Sequence, residues 1–434
     1  MKKHSISQFN FLKCSPSRSG FLSAVALLLA LGVTPCAVGD TSWTGSAGDN
    51  QYATAENWSN GTPASGNPGD VSGMTVSVTD YVTLGAGVTL NINDGANFTA
   101  GSFTQFQGSG DNVATLNVNA GGTFTSKSYF LVGQATNQHG VLNINGGTVN
   151  INSNSFTIGD NGHGTVNLNS GTLNVSTVME IGNHSPSTGT VNMYGGTLNA
   201  GNIHVGGGDS NDTSKNIQTN TGSLNYYDGE FKSTNLIYVG YGHGATGIFT
   251  VKSGADLTLD APIRLAARDR EDNTTTGKLI LEAGTAENTT TMNHSAAVSV
   301  GYADVGLLEV NANATYTNTA SVSLGVEATG KGTLHIKSNG TAILEDLNVA
   351  HTSGGTSVVN VDANGTMTVN DFNIGVDKGS EAGNVSINVA EGGSLTTAYA
   401  RFGTNNANMT LTGNMTANLQ FVVNGNATIK GTAR

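Results

Sequence analysis

Residues 116–133 read Leu116-Asn117-Val118-Asn119-Ala120-Gly121-Gly122-Thr123-Phe124-Thr125-Ser126-Lys127-Ser128-Tyr129-Phe130-Leu131-Val132-Gly133. Three phrases follow one another in this stretch. Leu116-Asn117-Val118 alternates apolar and polar residues. Gly121-Gly122-Thr123-Phe124 opens on a double glycine. Phe130-Leu131-Val132-Gly133 is apolar, any residue, apolar, glycine. Period-two alternation describes a short strand with one buried face. Glycine between such strands supplies positive φ and lets backbones approach closely.

The same phrases recur on either side. The first returns as Leu90-Asn91-Ile92, Leu142-Asn143-Ile144, Val166-Asn167-Leu168, Val191-Asn192-Met193 and Leu224-Asn225-Tyr226. It continues from Phe249, Leu279, Leu308, Leu334, Val359 and Ile387, with a degenerate copy near Leu411. Successive starts lie 24 to 33 residues apart. The third phrase returns as Phe156-Thr157-Ile158-Gly159, Met179-Glu180-Ile181-Gly182, Ile203-His204-Val205-Gly206 and Ile237-Tyr238-Val239-Gly240. Self-similarity at this period marks a solenoid. The reading is an all-β, single-stranded parallel β-solenoid (β-helix) of about twelve coils of ~26 residues, three strands and three turns to a coil. Apolar residues stack inside as ladders, and outward Asn residues hydrogen-bond along the axis. Surface loops are expected in the longer intervals, at 207–221, 266–277 and 284–295.

Composition agrees. The chain of 434 residues has 60 Gly and 51 Asn, only 11% charged residues and 6% aromatics. Gly and Asn are poor helix formers. With 6 Pro and no strict third-residue glycine, collagen is excluded. The low charge does not fit charge-driven disorder.

Three regions are expected: a signal peptide at 1–39, an N-terminal cap at 40–88 and the repeat domain at 89–434. Lys2, Lys3, Lys13 and Arg18 form a basic start, Phe21 to Val33 an apolar run too short for a membrane span, and Ala37-Val38-Gly39 a small-x-small cleavage site. Both cysteines, Cys14 and Cys36, fall in this leader. The leader holds four basic residues and no acids, so 40–434 carries 14 basic against 30 acidic groups, a formal charge of −16. Nucleic acid and anionic membrane are disfavoured as partners. No later segment is apolar enough for a transmembrane helix, and no cofactor motif is present. The cap holds both tryptophans, Trp43 and Trp58, expected to cover the open first coil.

The run Trp43-Thr44-Gly45, Ala55-Glu56-Asn57-Trp58-Ser59-Asn60-Gly61 and Gly69-Asp70-Val71, followed by Gly-Gly-Thr-apolar coils, resembles the bacterial family with autotransporter-associated β-strand repeats. The resemblance extends over nearly all of 40–434. It implies a right-handed β-helix at the cell surface, on the outer-membrane side, or secreted, of adhesive or structural type. It implies no catalytic residue. Nothing in the chain resembles the family's membrane β-barrel or its Pro-Glu-Pro sorting signal. The sequence ends Gly431-Thr432-Ala433-Arg434, still repeat-like. Two readings follow: a truncated chain, or an open last coil that self-associates end to end with another copy.

Chemistry is sought on the outward columns. The third strand's column reads Leu131, Thr157, Glu180, His204, Tyr238, Arg264, Ser299, Ser323, Asn348, Asn373 and Arg401. Glu180 and His204 sit side by side in it, as a base for polysaccharide cleavage would need. The preferred reading of the two residues is an ordinary solvated ladder of polar pairs. Tyr194 and Tyr227 form an outward pair on the first strand. With Tyr238 and Tyr241 they make coils four and five the candidate glycan or cell-surface ligand patch. His139, His163 and His184 recur near one coil apart, as a turn-tolerant residue or, alternatively, a metal column. No metal site is assigned. Arg268-Asp269-Arg270-Glu271-Asp272 reads as a self-neutralising loop. The expectation is a non-enzymatic rod, with a polysaccharide-processing enzyme or a self-assembling scaffold as alternatives.

Overall fold

The computed structural model describes residues 39–433 except 153–154, 185, 208–218, 268–274, 350–354, 376–382, 403–407 and 424–426. The signal peptide expected at 1–39 lies outside them but for Gly39, as does the charged run 268–272. The described chain is a parallel β-solenoid of about thirteen turns of ~26 residues. Apart from one 3-10 turn at Ala55–Asn57, its regular structure is β.

Three ladders run along the rod. In the first, Leu90 pairs with Leu116, Leu116 with Leu142, Leu142 with Val166, and the series continues in register to Ile387 and Leu411. The second ladder begins at Thr75–Val78, Asn97–Ala100 and Thr123–Ser126. The third begins at Val82–Leu84, Thr104–Phe106 and Phe130–Val132. All these pairings are parallel, one coil upon the next.

Alternation decides which side chains enter. Leu90, Leu116, Leu142, Phe249, Leu279, Leu308 and Leu334 are fully buried. Phe98 stacks on Phe124 at 5.7 Å and 8°. Phe130 touches Phe106, Phe124 and Phe156 at 5.1–5.6 Å between centroids. Such burial contributes about 1.5–3 kcal/mol per large side chain.

The outward positions carry a second, polar order. Asn117 Nδ2 donates to Asn91 Oδ1, and the series runs through Asn143, Asn167 and Asn192 to Asn225, each bond 2.8–3.0 Å. A parallel series joins Asn93, Asn119, Asn145 and Asn169. A third joins Asn150, Asn174 and Asn199. Every donor in these series points toward the N-terminal end. Asp70 terminates two columns there: its Oδ1 accepts from Asn91 Nδ2 at 2.9 Å and Asn93 Nδ2 at 3.3 Å. An acceptor-only carboxylate suits that position.

The corner from the third strand into the next coil is the tightest point. Gly159 closes its strand with φ of 71°. Gly164 then opens the next first strand, where a Cβ would collide with the Gly159 nitrogen and the Val132 oxygen. Gly164 lies in a register column of Gly140, Gly189, Gly222, Gly247, Gly277, Gly306 and Gly332. Ala266 takes the positive φ at one corner, 55°.

Two regions differ from the sequence reading. Coil pairing starts before the repeat phrases do: the expected cap already contains coil strands, with Gly69–Val71 paired to Leu90–Ile92 and, beyond it, Thr41–Ser42 paired to Gly69–Asp70. Within 284–295, expected as a loop, Thr290–His294 is a strand of the second ladder. Its inward residues are Thr290, Met292 and His294, which hid the apolar alternation. His294 is satisfied inside: its Nε2–H donates to the Ala261 carbonyl at 2.8 Å, leaving Nδ1 to accept from Tyr316 Oη and Asn318 Nδ2, both at 3.2 Å. Trp43 and Trp58 are buried against each other, edge to face at 5.1 Å, and Trp58 Nε1 donates to the Tyr52 carbonyl at 2.9 Å.

Gly164→Ala is expected to lose roughly 1–3 kcal/mol through overpacking. Asn143→Ala, which removes ladder hydrogen bonds from an accessible column, should lose about 1 kcal/mol. Urea unfolding of the two variants checks this order, and equal losses would refute the corner as the tighter constraint.

Candidate functional site

The third-strand column stands in the register expected. Leu131, Thr157, Glu180, His204, Tyr238, Arg264, Ser299, Ser323, Asn348, Asn373 and Arg401 are successive partners. Glu180 is therefore one strand spacing, about 4.8 Å, from His204 in backbone terms.

Glu180 is closely held. Its Oε2 accepts from Ser155 Oγ at 2.9 Å, Asn183 Nδ2 at 3.1 Å and Thr157 Oγ1 at 3.2 Å. Burial raises its pKa, while the Ser155 and Thr157 hydroxyls pull it back. Nearby, His184 Nδ1 and Asp160 Oδ1 are paired at 2.6 Å. His204 faces the other way in character. Its ring lies 4.4 Å from Tyr241 and 5.1 Å from Tyr238, whose own rings are 4.7 Å apart. Burial pushes its pKa down to about 4, so the imidazole is neutral at pH 7. Among the described residues, no hydrogen bond joins Glu180 to His204. The column continues into a cation–π contact, Arg264 over Tyr302 at 4.5 Å.

The structure brings His204, Tyr238 and Tyr241 together, but Tyr194 and Tyr227 lie on another face. They follow the first-ladder strands Thr188–Met193 and Thr221–Tyr226. Their rings are 4.6 Å apart at 31°. Lys252 Nζ sits 5.6 Å from the Tyr227 centroid and 2.6 Å from Glu282 Oε1. The tyrosines thus take over the column that Asn93, Asn119, Asn145 and Asn169 occupy earlier. Stacked aromatics next to a paired cation can accept planar or ring-shaped ligands.

The histidine column is not a triad. His139 and His163 are register partners with rings 4.6 Å apart, but the next partner is Thr188. His184 is engaged with Asp160 instead. Among the described residues, no group of three or more His, Cys, Asp or Glu could hold a metal ion.

One aromatic column escaped the sequence reading. Tyr81, Phe103 and Tyr129 immediately precede the third-ladder strands Val82–Leu84, Thr104–Phe106 and Phe130–Val132. Phe103 lies 5.5 Å from Tyr81 and 5.0 Å from Tyr129. Aligning the third phrase backward into the expected cap would have found them.

These features define a protein class: a parallel β-solenoid whose faces carry stacked, chemically zoned side-chain columns. Compared with known proteins, the chain matches no family model, no curated protein and no solved structure. Among the described residues, no helix is long and apolar enough to cross a membrane.

The buried histidines set a pH dependence. The unfolded pKa of histidine is about 6.5. His204 and His294 are both held below it by burial. Each contributes stability above the unfolded pKa and loses it as pH falls through the folded value. Thermal stability should therefore decline on acidification from about pH 6.5, and for His204 the window reaches down to about pH 4. His204→Phe, which keeps a ring against Tyr238 and Tyr241, should flatten part of that decline. An unchanged slope would show that His204 is not a contributor.

Proposed function

We propose that the chain is an exported, non-catalytic β-solenoid of the autotransporter-associated repeat type, acting at the cell surface or in the extracellular matrix. Its work is adhesion or envelope structure through many weak contacts along a rigid rod. The observation that carries this reading is the hydrogen-bonded Asn column. Each stacked carboxamide gives one N–H to its neighbour and keeps a second N–H and a lone pair. A row of identical donors and acceptors follows, spaced by about 4.8 Å. Such a row favours a repeating partner, because linked weak contacts multiply in avidity. The partner class is a surface glycan, with Tyr194 and Tyr227 on one face and Tyr238 with His204 on another as stacking points. The engagement of Glu180 by three donors supports a structural role for that carboxylate rather than that of a base.

The test is binding of the purified chain to immobilised cell-envelope glycans, together with an assay for new chain ends released from soluble polysaccharides. Single substitutions such as Asn143→Ala should change apparent affinity by less than about threefold, whereas Tyr194→Ala with Tyr227→Ala should weaken it about tenfold. Release of chain ends that Glu180→Gln abolishes, with the fold intact, would replace this reading with an enzyme.

A further inference from the structure

The first coils and the turn-rich segment before them form an open cleft of about 530 Å³, in the size range of small-molecule sites. Pro63 and Tyr81 supply apolar surface to it, and Thr62, Thr79, Thr83 and Ser102 supply hydroxyls. Its one carboxylate is held by the backbone. Asp80 accepts from the Tyr52 backbone N–H at 2.7 Å and the Ala53 N–H at 3.0 Å, one on each oxygen. That clamp fixes the wall of the cleft and leaves each carboxylate oxygen with acceptor capacity to spare.

Two tyrosines mark the wall and the rim of the cleft. Tyr52 lines the same cleft, is 4% exposed, and its hydroxyl is buried without a hydrogen-bond partner. A buried phenol in that condition costs free energy unless something completes it. Burial also raises its pKa, so it remains a neutral donor. Tyr81 is 56% exposed, and Tyr129, two coils on, is 44% exposed. Phe103 stacks with Tyr129 at 22° but meets Tyr81 at 61°, so Tyr81 breaks the stack at the edge of the cleft.

We propose that this cleft binds one end of an uncharged polysaccharide chain, whose following sugars run along the Tyr81–Phe103–Tyr129 column parallel to the rod axis. The chemistry fits that class. Pyranose rings offer an apolar face to aromatic rings and hydroxyls to Thr, Ser and Tyr. The ring centroids of the aromatic column stand 5.0–5.5 Å apart from one coil to the next, close to the length of one sugar in an extended chain. The formal charge of −16 on residues 40–434 disfavours an anionic ligand, and a polar lining made mainly of hydroxyls suits an uncharged one. The site is separate from the Asn columns and from Tyr194 and Tyr227, and it stands whether or not those bind anything.

The experiment is affinity electrophoresis of the purified full chain in gels holding a soluble β-1,4-glucan, a β-1,3-glucan, an α-glucan or a mannan. Polygalacturonate and a proline-rich peptide serve as the charged and non-sugar comparisons. At least one neutral polysaccharide should retard the protein. Tyr81→Ala with Tyr129→Ala should weaken binding about tenfold, since both rings are exposed and their loss spares the core. Tyr52→Phe should leave binding unchanged and the melting temperature equal or higher, because the hydroxyl it removes is buried and unpaired. Ile343→Ala, at an exposed position in a distant coil, should leave this binding unchanged, which controls for a change of surface away from the cleft. No retardation by any neutral polysaccharide, retention of full affinity in the Tyr81 and Tyr129 variant, or binding of polygalacturonate or the peptide alone would each overturn the proposal.

Discussion

From Gly140 to Gly332, each coil lies on the one before it where two backbones pass closer than a Cβ allows. At the corner between Gly159 and Gly164, the nitrogen and carbonyl atoms of neighbouring coils occupy the space a side chain would need. The first-strand glycine recurs in register from Gly140 to Gly332. Where that column ends, Ser357 takes the place and turns its hydroxyl inward, donating to the Leu324 carbonyl at 3.0 Å. On either side of the glycine run the same register position carries a Cβ: Ala114 before Gly140, and Ser357 then Val385 after Gly332. Because the corner fixes where the next coil begins, it fixes which residues stack.

Constant register has two consequences of different kind. Inside, it stacks like apolar residues, and the core is a set of continuous columns instead of a jigsaw. Outside, it places equal polar groups one strand spacing apart. Asn suits this arrangement because its side chain both donates and accepts, so a column can bond to itself without water. Asp70 shows the rule from its end, since a carboxylate can finish such a column but cannot continue it. Solenoids sum nearest-neighbour terms. The Asn bonds therefore reinforce the same coil-to-coil interfaces as the backbone ladders.

The register of the first and third strands was readable from residues 116–133 because alternation and glycine position carry it directly. From those two cues the whole outward column from Leu131 to Arg401 followed. The cues fail where an inward position is filled by a polar group with an internal partner. Thr290–His294 reads as a loop because His294 belongs to a buried network with Tyr316, Asn318 and the Ala261 carbonyl, and no local pattern announces partners 22 to 33 residues away. They fail again near the start, where Gly69–Val71 lacks the Leu-Asn-Ile signature yet pairs with Leu90–Ile92. Missing that coil concealed Tyr81, and with it the column to Tyr129. The neighbourhood of Glu180 was only half legible. Adjacency to His204 follows from spacing, but the donors from Ser155 and Asn183 come from turns that the repeat does not specify.

A stacked column and a reaction centre ask for different arrangements of side chains. Catalysis needs unlike groups converging on one point, with proton affinities driven apart by their surroundings. In-register stacking tends instead to set like beside like, and departures from it mark where the surface changes its chemistry. The column that begins Asn93-Asn119-Asn145-Asn169 passes to Tyr194 and Tyr227, then to the Lys252–Glu282 ion pair. Amide, aromatic and charged zones follow one another along a single face without any change in backbone path. Position along the rod then selects the type of contact, while the glycine corner keeps the spacing of contacts the same throughout. A ligand with its own regular repeat can match that spacing over several coils. A compact ligand meets only one zone, and the place where the columns give way to an open cleft is beside Asp80 and Tyr81.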